Sequence, residues 1–138
     1  MPVIRRGEAG DLEAVAAIQS ASPQAAHWAV ADYLKYQFTV AIMDDAVAGF
    51  LVWRPLAAGE SEVLNLAVSP AFRRQGIARE LLKTLLNLRD VEIFLEVRES
   101  NRTARIFYKS MGFQEVSTRR LYYDSPLEAA IVMKFHSC

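Results

Sequence analysis

Between positions 69 and 79 the chain reads Ser69-Pro70-Ala71-Phe72-Arg73-Arg74-Gln75-Gly76-Ile77-Ala78-Arg79, and a helical repeat of Ile77, Leu81 and Leu85 begins at its end. Such a turn is suited to holding phosphate. A helix N-terminus offers unpaired N–H groups and a partial positive charge, and both favour phosphate oxygens. Gly76 and Ala78 are small enough for a ligand to come close to the backbone. Arg73, Arg74 and Arg79 add positive charge. The segment lacks the Gly-Lys-Ser/Thr of a Walker loop and the three glycines of a dinucleotide fingerprint. Taken alone, it could equally be a basic, exposed helix entry in which Gly76 only helps packing. Other side chains could carry proton chemistry. Glu96 lies near the C-terminal end of an alternating apolar run, where open sheets usually place their chemistry. Asn101 and Tyr108 are seven residues apart, so both fall on one helix face. Two turns separate them by about 10 Å. A helix cap for Asn101 and a core aromatic for Tyr108 are the plainer alternatives.

The surrounding pattern predicts the frame. Residues 3–6 read as a strand, and Gly10-Asp11 can cap a helix with Leu12, Val15, Ala16 and Ile18 on one side. Ser22-Pro23 breaks it, and a second short helix is expected through Trp28 to Leu34. The runs 38–43 and 47–53 flank Asp44-Asp45 as a hairpin, and 63–68 follows as a third strand. Ile77, Leu81, Leu85 and Leu88 mark a helix, and 91–97 alternates as a strand. Ser100-Asn101 can cap a last helix with Ala104, Phe107 and Tyr108 inward, and Gly112 suits its C-terminal end. Runs 113–123 and 130–135 close the chain as strands around Ser125-Pro126. A meander followed by one β-α-β crossover implies an α/β (α+β) fold. Its sheet is mixed and mostly antiparallel, of about seven strands, with helices on both faces.

Composition narrows the classes. With 138 residues, 1–138 reads as a single domain. Hydrophobic residues at 52% and charged residues at 23% argue against disorder. Lys plus Arg and Asp plus Glu are 16 each, so binding nucleic acid by bulk charge is not expected. Cys138 is the only cysteine, so no intrachain disulfide can form and a reducing cytoplasm fits. No apolar run suggests a signal core or a membrane span. His27 and His136 have no partners at metal or triad spacing, and no metal is expected. Trp28 and Trp53 read as core or groove-lining residues. Cys138, at a chain end, is a poor nucleophile candidate.

The run Arg73-Arg74-Gln75-Gly76-Ile77-Ala78 resembles the Gln/Arg-x-x-Gly-x-Gly/Ala motif of GNAT acetyltransferases, which binds the pyrophosphate of acetyl-CoA. The resemblance extends over residues 62–134. It is strongest toward bacterial ribosomal-protein alanine N-acetyltransferases, through Leu64-Asn65-Leu66-Ala67-Val68, Arg74-Gln75-Gly76, Leu95-Glu96-Val97-Arg98, Ser100-Asn101, Tyr108, Gly112-Phe113 and positions 119–123. The span from Leu82 to Leu95 is about one helical turn shorter than that group's pattern, and Ala129 stands where an aspartate is expected.

The resemblance implies an acetyl-CoA-dependent N-acetyltransferase with acetyl-CoA as cosubstrate. Its acceptor would be a protein N-terminus, a ribosomal protein among the candidates. It implies that strand 63–68 splays from strand 91–97 and that pantetheine lies in the gap. The backbone of Leu66 and Val68 would then meet the cofactor, with the Val68 N–H toward the thioester oxygen. Asn65, unusual in a buried strand, could mark the bulge behind such a splay or could point outward. The phosphates would rest on Arg73, Arg74, Gln75, Gly76, Ile77, Ala78 and Arg79, and Asn101 would bond the pantetheine arm. Glu96 would relieve the amine of its proton, unless it only pairs with a nearby arginine. Tyr108 would protonate the leaving thiolate, since a phenol near 10 and a thiol near 8.5 are close in pKa. Arg119, Tyr122 and Tyr123, with Arg120, would face the substrate or form an ordinary cross-strand array. A lysine, a small-molecule amine or a non-catalytic acyl-CoA-binding module are the competing readings.

Overall fold

A computed structural model describes residues 1–22, 28–57, 59–88, 90–123 and 128–136. The elements in chain order are β1 (Val3–Arg6), α1 (Leu12–Ser20), β2 (Gln37–Met43), β3 (Ala46–Pro55), β4 (Glu60–Val68), α2 (Ile77–Leu86), β5 (Glu92–Arg98), α3 (Arg102–Ser110), β6 (Gln114–Tyr123) and β7 (Glu128–His136). The seven strands form one sheet in the order β1-β2-β3-β4-β5-β7-β6. The β4–β5 pair is parallel, whereas β1–β2, β2–β3, β5–β7 and β6–β7 are antiparallel. Internal contacts divide the chain into two compact units, Met1–Arg54 with Val63–Asn87, and Pro55–Glu62 with Leu88–Cys138.

In the first unit β3 is buried on both faces: Ala48, Phe50, Leu51 and Val52 are all inaccessible. Side chains alternate along a strand. Phe50 and Val52 join Val15, Ile18, Tyr33, Phe38, Val40 and Ala67 in one core cluster. Gly49 faces the other way, toward α2. A Cβ there would lie 2.9 Å from the Ala67 carbonyl oxygen and 3.2 Å from an Ile77 methyl, so close packing of α2 requires glycine. Asp44 and Asp45 take φ values of 50° and 60°, the left-handed pair of a tight hairpin turn. The β2–β3 register passes from Ala41↔Gly49 to Ile42↔Val47, which leaves Ala48 as an extra residue on β3.

The second short helix expected before β2 is a 3-10 turn over Val30–Lys35 with Tyr33 as its buried anchor. Positions 23–27, including His27, lie outside the described residues. Trp28 is 45% exposed rather than core.

At the start of the chain Arg5 grips Asp11 with two bonds, Nη1 to Oδ2 at 2.8 Å and Nη2 to Oδ1 at 2.9 Å. The Glu8 N–H donates to the same carboxylate. The Arg5 bonds foremost, with help from the Glu8 N–H, hold the Asp11 carboxyl below its ordinary range. A carboxyl with a lowered folded pKa contributes stability in full above its unfolded value of about 4 and loses it as pH falls through the folded value. An Asp11→Asn variant is therefore expected to be less stable at neutral pH and to lose less further stability on acidification. Urea midpoints at pH 7 and at about pH 3 check this; parallel acid limbs in the two proteins would refute it.

In the second unit, β5 buries Ile93, Leu95 and Val97 and leaves Glu92, Phe94, Glu96 and Arg98 half-buried on the other face. The buried row pairs with β7 through Ile93↔Phe135, Leu95↔Met133 and Val97↔Ile131. The start of β4 joins β5 through Glu60↔Glu92, Ser61↔Ile93 and Glu62↔Phe94. Gly112 follows α3 at φ 102°, and a Cβ there would come within 2.9 Å of the Phe135 ring. It therefore serves both as the expected helix stop and as a close approach.

Helix α2 ends at Leu86 and not at the expected Leu88, which is 41% exposed beyond it. Position 89 lies outside the described residues, and the early helix end accounts for part of the short span between helix and strand. The Ser125-Pro126 turn and Cys138 lie outside the described residues.

Candidate active site

β4 alternates strictly. Ser61, Val63, Asn65 and Ala67 are buried, while Leu64, Leu66 and Val68 are half-buried. The Ser69 N–H donates to the carbonyl of the bulged Ala48 at 2.7 Å and so ends the strand. A 3-10 turn over Pro70–Phe72 follows, closed by the Phe72 N–H donating to the Ser69 carbonyl at 2.9 Å. Arg74 and Gly76 then take φ values of 64° and 76°. Left-handed backbone is unusual for a side chain such as arginine and favours glycine at the second position.

These two reversals bring Ile77 into the core, 1% exposed, at the first position of α2. Among the described residues no side chain caps this helix at Gly76. The N–H groups of Ile77, Ala78 and Arg79 therefore carry the partial positive charge of the helix start outward. A Cβ at Gly76 would meet nothing within 4 Å. The glycine is there for its φ and leaves open space, and the packing explanation for it fails. Arg73, Arg74, Gln75 and Arg79 are exposed beside it, and Ala78 is half-buried. Ile77 departs from the expectation in one respect: its side chain belongs to the core, so only its N–H can face a ligand.

Asn65 points inward and is 5% exposed. Its Nδ2 donates to the Tyr33 hydroxyl at 3.0 Å and to Gln19 Oε1 at 3.2 Å. Its Oδ1 accepts the Leu66 N–H at 3.0 Å. The alternation of burial runs through Asn65 unbroken, and the register shift of this region lies at Ala48 in β3. Nothing in the sequence marks Gln19 and Tyr33 as its partners, because they are 46 and 32 residues away.

In the second unit Glu96 lies on the half-buried face of β5, as expected, and Arg119 Nη1 donates to its Oε1 at 2.6 Å. The expected base and an expected substrate contact are thus bonded to each other. The register explains the meeting: Glu96 faces Val132 on β7, and Arg119 on β6 faces Ala130. The same face carries Glu92 bonded to Lys134, which also lies 5.6 Å from the Phe94 ring centre. Its hydrogen bond to Lys134 holds the Glu92 carboxyl below the usual range.

Asn101 is the N-cap of α3, its Oδ1 accepting the Ala104 N–H at 3.2 Å. The plainer alternative for that oxygen holds. Glu128, missed in the sequence, fixes the preceding turn. Its Oε2 accepts the Ser100 N–H at 2.8 Å and its Oε1 accepts from Arg98 at 3.2 Å. The Ser100 side chain foremost, and then this Ser100 N–H bond, hold the Glu128 carboxyl below its ordinary range.

Tyr108 is 7% exposed. Its ring packs edge-on against Phe107 and Phe113, with centres 5.2 and 5.4 Å away. Burial pushes its phenol well above the ordinary value. The near match in acidity expected between phenol and thiol is therefore not present in the folded chain. A buried phenol holds its proton more tightly. Arg119 and Arg120 are exposed on β6. For Tyr122 and Tyr123 the described feature is their place in β6, with Tyr123 opposite Glu128; the contacts expected of their side chains lie outside the described set. Among the described residues, no three His, Cys, Asp or Glu side chains gather closely enough to hold a metal ion. None of the described helices is long and apolar enough to cross a membrane.

Comparison with known proteins places this architecture. Residues 35–115 match the acetyltransferase (GNAT) domain family. The chain is 35% identical, over 77% of its length and 75% of the relative's, to a ribosomal protein bS18-alanine N-acetyltransferase of Haemophilus ducreyi. It superposes on the crystal structure of the ribosomal-protein-S18-alanine N-acetyltransferase of Escherichia coli with a TM-score of 0.85 and 30% identity, covering 100% of this chain and 96% of that one. The crystal structure of Ard1 from Thermoplasma volcanium gives a TM-score of 0.89 at 28% identity, covering 99% and 98%.

Proposed function

The chain belongs to the GNAT acetyltransferase family, and from that premise we propose that it transfers acetyl from acetyl-CoA directly to the N-terminal amine of a protein. The alanine terminus of a ribosomal protein is the favoured acceptor. The similarity to the Haemophilus and Escherichia enzymes, over most of each chain, carries the choice of acceptor. Elementary acid–base chemistry agrees. An α-amine near 7.8 leaves roughly a tenth of the molecules neutral at pH 7, whereas a lysine amine near 10.4 leaves well under a thousandth. A single carboxylate is the better match to the first. A ribosomal-protein acceptor also fits a cytoplasmic enzyme, and residues 1–138 are taken to work as one domain.

The proposed roles follow the geometry of each unit. The phosphates of acetyl-CoA rest on the uncapped start of α2, on the N–H groups of Ile77, Ala78 and Arg79, with Arg73, Arg74 and Gln75 around them and Gly76 leaving room. The backbone of Leu66 and Val68 meets the pantetheine and the thioester. The Asn101 amide is available to the pantetheine arm through its NH₂, since its oxygen caps α3. Glu96 accepts the amine proton, the nitrogen attacks the thioester carbon, and the tetrahedral intermediate collapses. The C–S bond breaks, Tyr108 supplies the proton to sulfur, and the second proton leaves the acylated nitrogen as the amide forms, its equivalent restoring the Tyr108 phenol. Arg119 holds the Glu96 carboxylate in place and, with Tyr122 and Tyr123, contributes to the acceptor side.

The deciding assay follows CoA thiol release from acetyl-CoA with two matched peptides, one with a free N-terminal alanine and one with only a lysine amine. Turnover on the first alone is the expected result. Turnover on the lysine peptide alone, or on small amines alone, would replace the acceptor. Tight acetyl-CoA binding with no turnover on any amine would favour a non-catalytic acyl-CoA-binding role.

A further inference from the structure

The buried amide at position 65 performs a task that the catalytic scheme leaves unassigned. Backbone groups of β4 alternate between its two edges. The Ser69 N–H reaches the Ala48 carbonyl, and the Ala67 carbonyl lies 2.9 Å from where a Gly49 Cβ would stand. Both therefore face β3, so the N–H and carbonyl groups of Leu66 and Val68 face the opposite edge. These are the two residues whose backbone the proposed function assigns to the cofactor. A strand N–H that turns from a neighbouring ladder needs another acceptor. For Leu66 that acceptor is the Asn65 side-chain oxygen at 3.0 Å.

The polarity of the network is set from that end. An N–H can only donate, so the atom facing Leu66 is Oδ1, and Nδ2 faces Tyr33 and Gln19. Gln19 therefore turns Oε1 toward Asn65, where it also accepts the Tyr33 hydroxyl at 2.5 Å. Its Nε2 is then directed to an acceptor, the Trp28 carbonyl, at 2.7 Å. Among the described residues, no buried side-chain nitrogen or oxygen is left without a partner. Tyr33 is 1% exposed, Asn65 5% and Gln19 7%, so water does not compete for these bonds.

We infer that Asn65 is a positioning residue of the acetyl-transfer site: by taking the Leu66 N–H and anchoring β4 to Tyr33 and Gln19, it sets the backbone that meets acetyl-CoA. This rests on the assignment of Leu66 and Val68 to the cofactor. It adds that the Leu66 N–H is already engaged, so cofactor contact by Leu66 falls to its carbonyl and that of Val68 to its N–H. Asn65 touches neither substrate nor reacting atoms in this scheme. Aspartate cannot replace it, because a carboxylate has no donor for Gln19 Oε1.

The test compares wild type with Asn65→Ala, Asn65→Asp and Tyr33→Phe. Calorimetric acetyl-CoA affinity is measured on the folded fraction, kcat and KM on the alanine peptide, and amide exchange at Leu66 by NMR. Asn65→Ala is expected to expose the Leu66 N–H to exchange and to weaken acetyl-CoA binding on the order of tenfold, the loss of one buried hydrogen bond, with little change in peptide KM. Tyr33→Phe keeps the Leu66 bond and is expected to stay within about threefold of wild-type affinity, even where its melting temperature falls. Asn65→Asp keeps an oxygen for the Leu66 N–H but has no donor for Tyr33 and Gln19, so it is expected to weaken acetyl-CoA binding by a similar factor with the Leu66 amide still protected. If Asn65→Ala does not fold, the acetyl-CoA affinity of Asn65→Asp decides. Wild-type affinity in that variant overturns the inference. So does equal loss of affinity in Asn65→Ala and Tyr33→Phe, tracking only their melting temperatures. A wild-type protein that binds no acetyl-CoA overturns the assignment of Leu66 and Val68 along with it. Normal wild-type turnover beside an equally active Asn65→Ala overturns this inference alone.

Discussion

Glu96→Gln is expected to lower kcat on an alanine-terminated peptide by about 10²–10⁴-fold, the usual contribution of a positioned general base, while acetyl-CoA affinity is unchanged. The amide keeps the size of the side chain and can still accept a hydrogen bond from Arg119, but it cannot take a proton. Arg119 is 53% exposed at its side chain, so its charge stays hydrated and the fold loses little. The cofactor's phosphates are assigned to a different segment, the start of α2, which is why kcat and affinity should separate. The deficit has a direction in pH. A base is needed to the extent that the incoming amine is protonated, and an α-amine has a pKa near 7.8. The gap between variant and wild type should narrow as pH rises through that value. Steady-state rates at pH 7 and pH 9, with melting curves for both proteins, check this. Undiminished turnover at pH 7 would remove Glu96 from the mechanism and leave it as the strand-end partner of Arg119.

Tyr108→Phe is expected to be the second large effect, a fall in kcat of about 10²–10³-fold with the fold retained. Phenylalanine keeps the ring that packs edge-on against Phe107 and Phe113, so the lost group is the hydroxyl alone. Burial raises the phenol pKa, and this has two consequences. The wild-type acid stays protonated through alkaline assay conditions, so kcat should not fall as pH approaches 10 as it would for a solvent-exposed tyrosine. The variant's deficit should shrink above about pH 8.5, where a thiolate leaves without help. A kcat profile from pH 6 to pH 10 in both proteins reads both effects. A variant as fast as wild type at pH 7 would return Tyr108 to the role of a core aromatic.

Much of the frame could be read from local pattern. The alternation of Ile93, Leu95 and Val97 with Glu92, Phe94 and Glu96 announced a strand with one apolar face, and β5 has that face buried. Gly112 announced a helix stop and holds a φ of 102°. Asp44-Asp45 announced a hairpin and both residues are left-handed. Where pattern misled, tertiary packing or local geometry prevailed. Leu88 continued the helical repeat, yet α2 ends two residues earlier, closed by the Asn87 N–H. Of the two readings of Trp28, core or groove-lining, its 45% exposure removes only the first.

The sequence by itself determined what depends on neighbours along the chain. These are the periodicities, the helix start at Ile77, the arginines before it, and the resemblance in their spacing to a known motif. Tertiary structure decided what depends on which distant residues meet. Strand register brought Arg119 to Glu96 across 23 positions and turned Glu128 onto the Ser100 N–H across 28. Burial, a property of all surrounding elements together, raised the Tyr108 pKa and turned Asn65 inward to Tyr33 and Gln19. Hydrogen bonds and desolvation act over a few ångströms of space regardless of separation along the chain, and that distance is settled only when the strands have paired.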